Sequence, residues 1–219
     1  MAIELLALKQ DSNIGLKCYV NEKIAIVPNY TREKDIKLIK EILQVEVIKG
    51  SIMGTDLLGV FIIGKNKNIL VPSLTLDKEV ENLEKQGLKV KKIDEEKTCF
   101  GNNVLFYKNN ALIAEGMSQE FKEEIKRLKY NIINAKFENI ETPASFTISR
   151  KNKVLTALIG DDLEILEETI KVKTEQATVN NGSPHLKSGI LLNNKGILMG
   201  TQSTGIELTN IDSFFIEND

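Results

Sequence analysis

The sequence predicts an α/β fold: a closed ring of five strand-turn-strand-helix-strand units, an α/β propeller with approximate five-fold symmetry. Three observations predict it. Helix-start residues recur at Thr31, Thr75, Ser118, Asp161 and Thr204, spaced 44, 43, 43 and 43 residues apart, and each is a type favoured at a helix N-cap. Two apolar runs around a short polar turn precede each cap. After the caps the apolar spacing lengthens toward the helical period.

The hairpins come first in each unit. Their turns read Asn21-Glu22-Lys23, Lys65-Asn66-Lys67, Lys108-Asn109-Asn110, Lys151-Asn152-Lys153 and Asn194-Lys195-Gly196. The apolar runs before them centre on Cys18, Ile62, Leu105, Ile148 and Leu191. The runs after them are Ile24–Val27, Asn68–Val71, Ala111–Ala114, Val154–Ala157 and Ile197–Gly200. Such pairs around an Asn, Lys or Gly turn form β-hairpins. Helices follow, with Ile36, Ile39 and Leu43 after Thr31, Val80 and Leu83 after Thr75, and Phe121, Ile125 and Leu128 after Ser118. Thr204 with Glu207 three residues on makes a capping box, in which each side chain satisfies the other's backbone donor. Alternating segments such as Val45–Ile48, Leu88–Val90 and Ile170–Val172 then supply a third strand.

One unit cannot cover its own helix-facing surface, so neighbours must stack. An open row needs polar capping units, and none is visible. Closing the ring removes the exposed edges instead. The expectation is a single domain over 1–219, with units at approximately 10–52, 53–96, 97–139, 140–182 and 183–219. The N-terminal strand, Ala2–Leu8, is expected to help close the ring against the fifth unit.

Composition narrows the function classes. The apolar fraction is 42%, the charged fraction 27% and the net charge -2, ordinary values for a soluble globular chain. A surface living on phosphate contacts alone would leave a more basic footprint. The Lys-rich stretches (Lys89, Lys91, Lys92 and Lys122, Lys126, Lys129) are interleaved with acids and read as solvated faces. Any nucleic-acid contact is therefore expected to be local, with a protein surface as main partner. Two cysteines, Cys18 and Cys99, form no CxxC pair and imply no disulfide framework. No leader-like N-terminus is seen, and the longest apolar stretch, Leu57–Ile63, is too short to span a bilayer. A cytoplasmic protein is expected.

Several segments resemble the translation initiation factor 6 family, shared by archaea and eukaryotes. They are Ser12-Asn13-Ile14-Gly15, Ile69-Leu70-Val71-Pro72, Gly101-Asn102, Val179-Asn180-Asn181-Gly182-Ser183, Ser188-Gly189, Asn193, Gly200 and Thr204-Gly205-Ile206-Glu207-Leu208. The resemblance spans nearly the full length, and its order and spacing follow the five-unit frame. It implies the pentein fold and binding to the large ribosomal subunit near the sarcin–ricin loop, chiefly through a ribosomal protein at the joining face. The small subunit is then sterically excluded. The sequence ends soon after the fifth helix, so regulation through the extended C-terminal tail of the eukaryotic members is not carried over.

The pentein fold also houses guanidino-group hydrolases and transferases that use a nucleophilic Cys, a His and carboxylates. Cys99 and His185 both lie 19 residues before their caps, where the other units place Ser12, Asp56 and Thr142. An imidazole-activated thiolate is sound nucleophilic chemistry. However, the set offers one carboxylate, and a guanidinium pocket needs bidentate partners. The expectation is a protein that is not an enzyme, with Cys18 a small core residue on a strand. One histidine and two separated cysteines give no zinc spacing. The acids Asp161-Asp162 and Glu167-Glu168 suit a helix start and its exposed face. No phosphate loop or dinucleotide fingerprint occurs, so no metal or cofactor is expected.

The joints between units are turn-prone: Met53-Gly54-Thr55-Asp56, Phe100-Gly101-Asn102-Asn103, Thr142-Pro143-Ala144-Ser145 and Asn181-Gly182-Ser183-Pro184. Five-fold symmetry gathers them on one face, where small polar groups could dock at low ordering cost. The expected ribosome-binding residues are Asn102, Gly101, Thr55, Asn181, Gly182, Ser183 and His185. The resemblance matches Asn102 to the Asn of the family's Gly-Asn joint.

Overall fold

A computed structural model describes residues 2–216. A first strand, β1 (Ala2–Leu6), precedes five similar units. The first holds α1 (Ile14–Lys17), β2 (Tyr19–Val20), β3 (Ile24–Pro28), α2 (Glu33–Leu43) and β4 (Glu46–Gly50). The second holds α3 (Leu58–Phe61), β5 (Ile63–Lys65), β6 (Asn68–Pro72), α4 (Asp77–Lys85) and β7 (Lys89–Ile93). The third holds α5 (Phe100–Asn103), β8 (Val104–Tyr107), β9 (Asn110–Ile113), α6 (Gln119–Arg127) and β10 (Asn131–Asn134). The fourth holds α7 (Pro143–Phe146), β11 (Thr147–Arg150), β12 (Lys153–Thr156), α8 (Gly160–Ile170) and β13 (Glu175–Gln176). The fifth holds α9 (Leu186–Gly189), β14 (Ile190–Leu192), β15 (Gly196–Gly200) and α10 (Gly205–Ile216).

The five three-stranded sheets share one pattern. The hairpin strands pair antiparallel, and the third strand pairs parallel to the second. In the fifth sheet the parallel partner is β1, Ala2 through Leu6 against Gly196 through Gly200. The chain's first strand thus completes its last sheet.

Closure is visible in two further places. The four-residue turns touch in the order α1-α3-α5-α7-α9, and α9 returns to α1. Each of the five apolar clusters joins adjacent units: Tyr19, Ile24 and Ile26 pack with Leu58, Ile69 and Leu83, while Leu191 and Leu198 pack with Ile14 and Val27. Helices help to seal these seams, α2 packing on β15 and α4 on β4. No unit buries its apolar face without a neighbour, which is why the stack must close.

The short helical turns were not in the predicted unit. Four residues carry too little periodicity to register as a helix. The caps also need correction. Ser118 and Thr204 stand at helix starts, and Ser118 Oγ accepts the Phe121 N–H at 3.2 Å. The capping box at Thr204 forms as predicted, with the Glu207 N–H on Thr204 Oγ1 at 3.2 Å and the Thr204 N–H on Glu207 Oε2 at 2.7 Å. In the first two units, however, the N-caps are Arg32 and Leu76, one residue after Thr31 and Thr75. In the fourth unit the N-cap is Ile159, and Asp161 lies inside the helix. Thr31 and Thr75 sit just before the first turn with buried hydroxyls that find no hydrogen-bond partner. That place belongs to the core, as Met117 and Leu158 show in their units.

The predicted strand at Ile170–Val172 is displaced. Ile170 ends α8 and Lys171 stops it in a left-handed conformation at φ 54°, so the strand forms at Glu175–Gln176. Cys18 is a buried core residue, as expected, and burial pushes its thiol pKa up. Its structural equivalents, counted from the helical turns, are Ile62, Val104, Thr147 and Ile190 rather than Leu105, Ile148 and Leu191. Among the described residues no helix is long and apolar enough to cross a membrane.

Candidate functional site

Strand direction decides what lies at each end of the ring. The second and third strands of a unit run parallel, so the outer-helix starts and the joints fall at the same end. The helical turns follow the joints at that end. Hairpin turns and outer-helix C-termini fall at the other. All seven residues expected to bind, on α5, at the cap of α9 and in two joints, therefore share the helical-turn end.

The residues just before the helical turns are Asn13, Leu57, Cys99, Thr142 and His185. Four of them share φ between −76° and −90° and ψ between 52° and 71°, and Thr142 differs only in φ, at −124°. Cys99 and His185 are thus equivalent, as expected, but Ser12 and Asp56 are one place off this register. Leu57 holds the position assigned to the orienting carboxylate. The Cys99 and His185 turns, α5 and α9, are separated by α7. The His185 ring packs instead on Phe146, centroids 4.7 Å apart. A thiolate-imidazole pair is not assembled here.

The candidate residues divide by what their side chains already do. Thr55 is spent on its own turn, donating from Oγ1 to the Ile52 carbonyl at 2.9 Å and accepting the Leu57 N–H at 3.2 Å. Ser183 Oγ accepts the His185 N–H at 3.4 Å. In contrast, the side-chain amides of Asn102 and Asn181 hydrogen-bond to no described residue. Asn102 is half-buried, whereas Asn181, Gly182 and His185 are exposed. Asn102 holds no turn through its side chain; its neighbour Asn103 does that, donating from Nδ2 to the Cys99 carbonyl at 2.9 Å.

Carboxylates in the outer helices brace this end. Glu79 takes the Gly54 N–H at 3.0 Å, and Asp162 takes the Glu138 N–H at 2.7 Å. Glu207 takes the N–H groups of Asn181 and Gly182 at 3.2 and 2.9 Å and the Thr178 hydroxyl at 2.8 Å. Burial pushes the Glu207 carboxyl up, but its bonds from Thr204, Gly182, Thr178 and Asn181 outweigh that and hold its pKa below the usual range. The third unit reverses the arrangement. Phe121 replaces the helix carboxylate, and Glu95 from the joint reaches over to accept the Ser118 N–H at 2.8 Å. Joint backbones are thereby fixed before any partner arrives.

The surface of this end is also apolar in places. Leu74 (66% exposed), Leu76 (55%), Ile159 (76%) and Ile206 (74%) stand at the starts of outer helices. Among the described residues the other large exposed apolar side chain is Leu5, on β1. Four of the five described thus gather where the unpartnered side-chain amides do.

Sequence reasoning missed Lys187. The second residue of the helical turns is Gly15, Gly59, Gly101, Ala144 and Lys187. A Cβ on Gly15, Gly59 or Gly101 would lie 1.8, 1.9 or 2.1 Å from a carbonyl oxygen of the preceding turn around the ring. Lys187 breaks the small-residue pattern, and its amine donates across the axis to the Gly101 carbonyl. Aligning Ile-Gly, Leu-Gly, Phe-Gly, Pro-Ala and Leu-Lys would have exposed it. Among the described residues no cluster of His, Cys, Asp or Glu could hold a metal ion.

The family model for the eIF-6 family matches residues 3–214. Translation initiation factor 6 of Staphylothermus marinus is 35% identical, covering 96% of both chains. That of Nanoarchaeum equitans is 32% identical, covering 98% of this chain and 100% of its own. Among solved structures, the N-terminal domain of ArgZ, an arginine dihydrolase from the ornithine-ammonia cycle in cyanobacteria, superposes with a TM-score of 0.58. It is 14% identical and covers 82% of this chain and 74% of its own. At that identity the likeness shows the fold alone, the pentein propeller.

Proposed function

The chain belongs to the eIF-6 family, and on that premise we propose that it binds the joining face of the large ribosomal subunit and keeps the small subunit from attaching. Family membership ties the chain to translation initiation and to the ribosome. The finer reading concerns the face and its contacts. The helical-turn end docks, chiefly on a ribosomal protein near the sarcin–ricin loop. The observation carrying this choice is the gathering of four exposed apolar side chains and two unpartnered side-chain amides at that end. A protein-led contact accords with the net charge of -2.

Asn102 is the central contact, its amide serving as both donor and acceptor. Asn181 and His185 contribute side chains. Gly101 and Gly182 let the partner approach the backbone, and Thr55 and Ser183 shape the joints that carry them. The protein acts in the cytoplasm as a single-domain monomer. It is not an enzyme and requires no cofactor, and it turns over no small-molecule substrate. The separation of Cys99 from His185 supports that reading.

The test is a subunit-joining assay read by light scattering, with the factor titrated against large subunits. Wild-type protein should suppress joining. Asn102→Ser should keep its thermal stability and lose about 1–2 kcal/mol of affinity, roughly ten- to thirtyfold. Unchanged inhibition at equal folded concentration would remove Asn102 from the contact. Failure of the wild type to hinder joining would end the functional reading.

A further inference from the structure

The axis of the ring holds a cavity of about 420 Å³, within the size range of small-molecule sites. Its floor is the ring of helical turns, through Gly15, Gly59 and Lys187. Its mouth is formed by hairpin turns at the opposite end, where Glu22, Lys108 and Asn194 are exposed. Between them the walls are apolar, with Ile62, Val104, Ile148 and Leu191 among the lining residues.

The charges are unbalanced. Five basic residues line the cavity (Lys65, Lys108, Arg150, Lys151 and Lys187) against one acid, Glu22. Glu22 is already engaged at the mouth, accepting the Asn194 N–H at 3.1 and 3.3 Å. Arg150 is spent too, donating to the carbonyls of Asn193, Asn194 and Phe215. The Lys65 amine lies over the Tyr130 ring, 4.2 Å from its centroid. Lys108, 5.0 Å from the Tyr107 ring centroid, and Lys151 stand in hairpin turns at the mouth, so Lys187 is the basic lining residue at the floor. An ammonium has three donors, and the Gly101 carbonyl takes one. No carboxylate among the described residues forms an ion pair with it.

We propose that the axial cavity is a binding site for a small organic anion, whose carboxylate or phosphate head meets the Lys187 ammonium and whose short apolar body lies along the walls. The site is separate from the docking end, since its mouth opens on the other side of the ring. Burial pushes the Lys187 amine down to about 8, the sign of a charge held at a cost that a bound anion would offset. Binding is reversible and forms no covalent bond.

The experiment uses the intact protein and four probes of equal length: hexanoate, hexyl phosphate, hexylamine and hexanol. Methyl-detected NMR follows Ile62, Ile148 and Leu191 in the cavity and Leu76 and Ile206 on the far surface. Hexanoate, hexyl phosphate or both should shift the cavity methyls saturably and leave the far methyls still. The relative affinities of the two tell a carboxylate site from a phosphate site. Hexylamine and hexanol should bind at least tenfold more weakly. Lys187→Met keeps the stem and removes the charge, and anion affinity should fall at least tenfold while the methyl spectrum stays folded. Equal binding of hexylamine, full affinity in Lys187→Met, shifts outside the cavity, or no saturable shift with either anion in the wild type would each overturn the proposal. The wild-type titration decides even if the variant misfolds.

Discussion

The helical turns α1, α3 and α5 each approach the preceding turn of the ring through glycine, whereas α7 and α9 carry Ala144 and Lys187 at the same place. In the first arc a backbone carbonyl sits where a Cβ would go, 1.8 to 2.1 Å from it. In the second arc side chains occupy the joints, and one of them crosses the axis to Gly101. The repeat supplies a common scaffold, and specific chemistry appears where one unit departs from it. Lys187 departs at the floor of the cavity. Asn102 departs on the other side, in a turn position held by Leu16 and Val60 in the first two units and by Ser145 and Ser188 in the last two.

Substitutions in the two arcs should separate them sharply. Gly59→Ala places a Cβ 1.9 Å from the Gly15 oxygen and 2.5 Å from that of Cys18, both backbone atoms that move only with their turns. A loss of about 3 kcal/mol or more is expected by denaturant unfolding. Ala144→Gly, in the looser arc, should cost about 1 kcal/mol or less. Similar losses at both sites would erase the distinction.

The next largest effect belongs to the braces. Glu207→Gln weakens a carboxylate holding the N–H groups of Asn181, Gly182 and Thr204, and about 1–3 kcal/mol should be lost at neutral pH. The folded pKa of Glu207 is depressed, so its contribution is complete above the unfolded value of about 4.5. It disappears as pH falls through the folded value. The stabilities of wild type and Glu207→Gln should therefore begin to converge as pH falls below about 4.5 and meet only below the depressed folded value. A gap that persists into strong acid would mean packing, not charge, holds the joint. Smallest of all is Thr75→Val, which replaces a buried hydroxyl lacking a partner by a methyl of similar shape. Stability should stay within about 0.5 kcal/mol or rise slightly; a loss above about 1 kcal/mol would reveal a bond the hydroxyl makes.

The same contrast explains what the sequence made legible. Hairpins and outer helices were readable because apolar alternation, Asn-Lys turns and caps such as Ser118 and Thr204 act locally. Register was readable only approximately. The links between second strand and helix differ in length, running from Pro28 to Glu33 in one unit and from Thr156 to Gly160 in another. A constant spacing therefore slipped onto Thr31, Thr75 and Asp161. The same slip paired Asp56 with Cys99 and His185, where Leu57 belongs. The end of the ring shared by the candidate residues followed from symmetry. Which of them keep free side chains did not, because Thr55 and Asn102 are both small polar joint residues and only their contacts distinguish them. The exchange of Glu95 for a helix carboxylate is likewise tertiary, linking residues 23 positions apart.

Sedimentation with purified ribosomal subunits tests the central claim most directly. The wild-type protein, mixed separately with large and small subunits at physiological salt and spun through sucrose, should travel with the large subunit alone. Adding small subunits afterwards should leave the two peaks apart. Recovery with the small subunit, or a single joined peak in the presence of bound factor, would contradict the account.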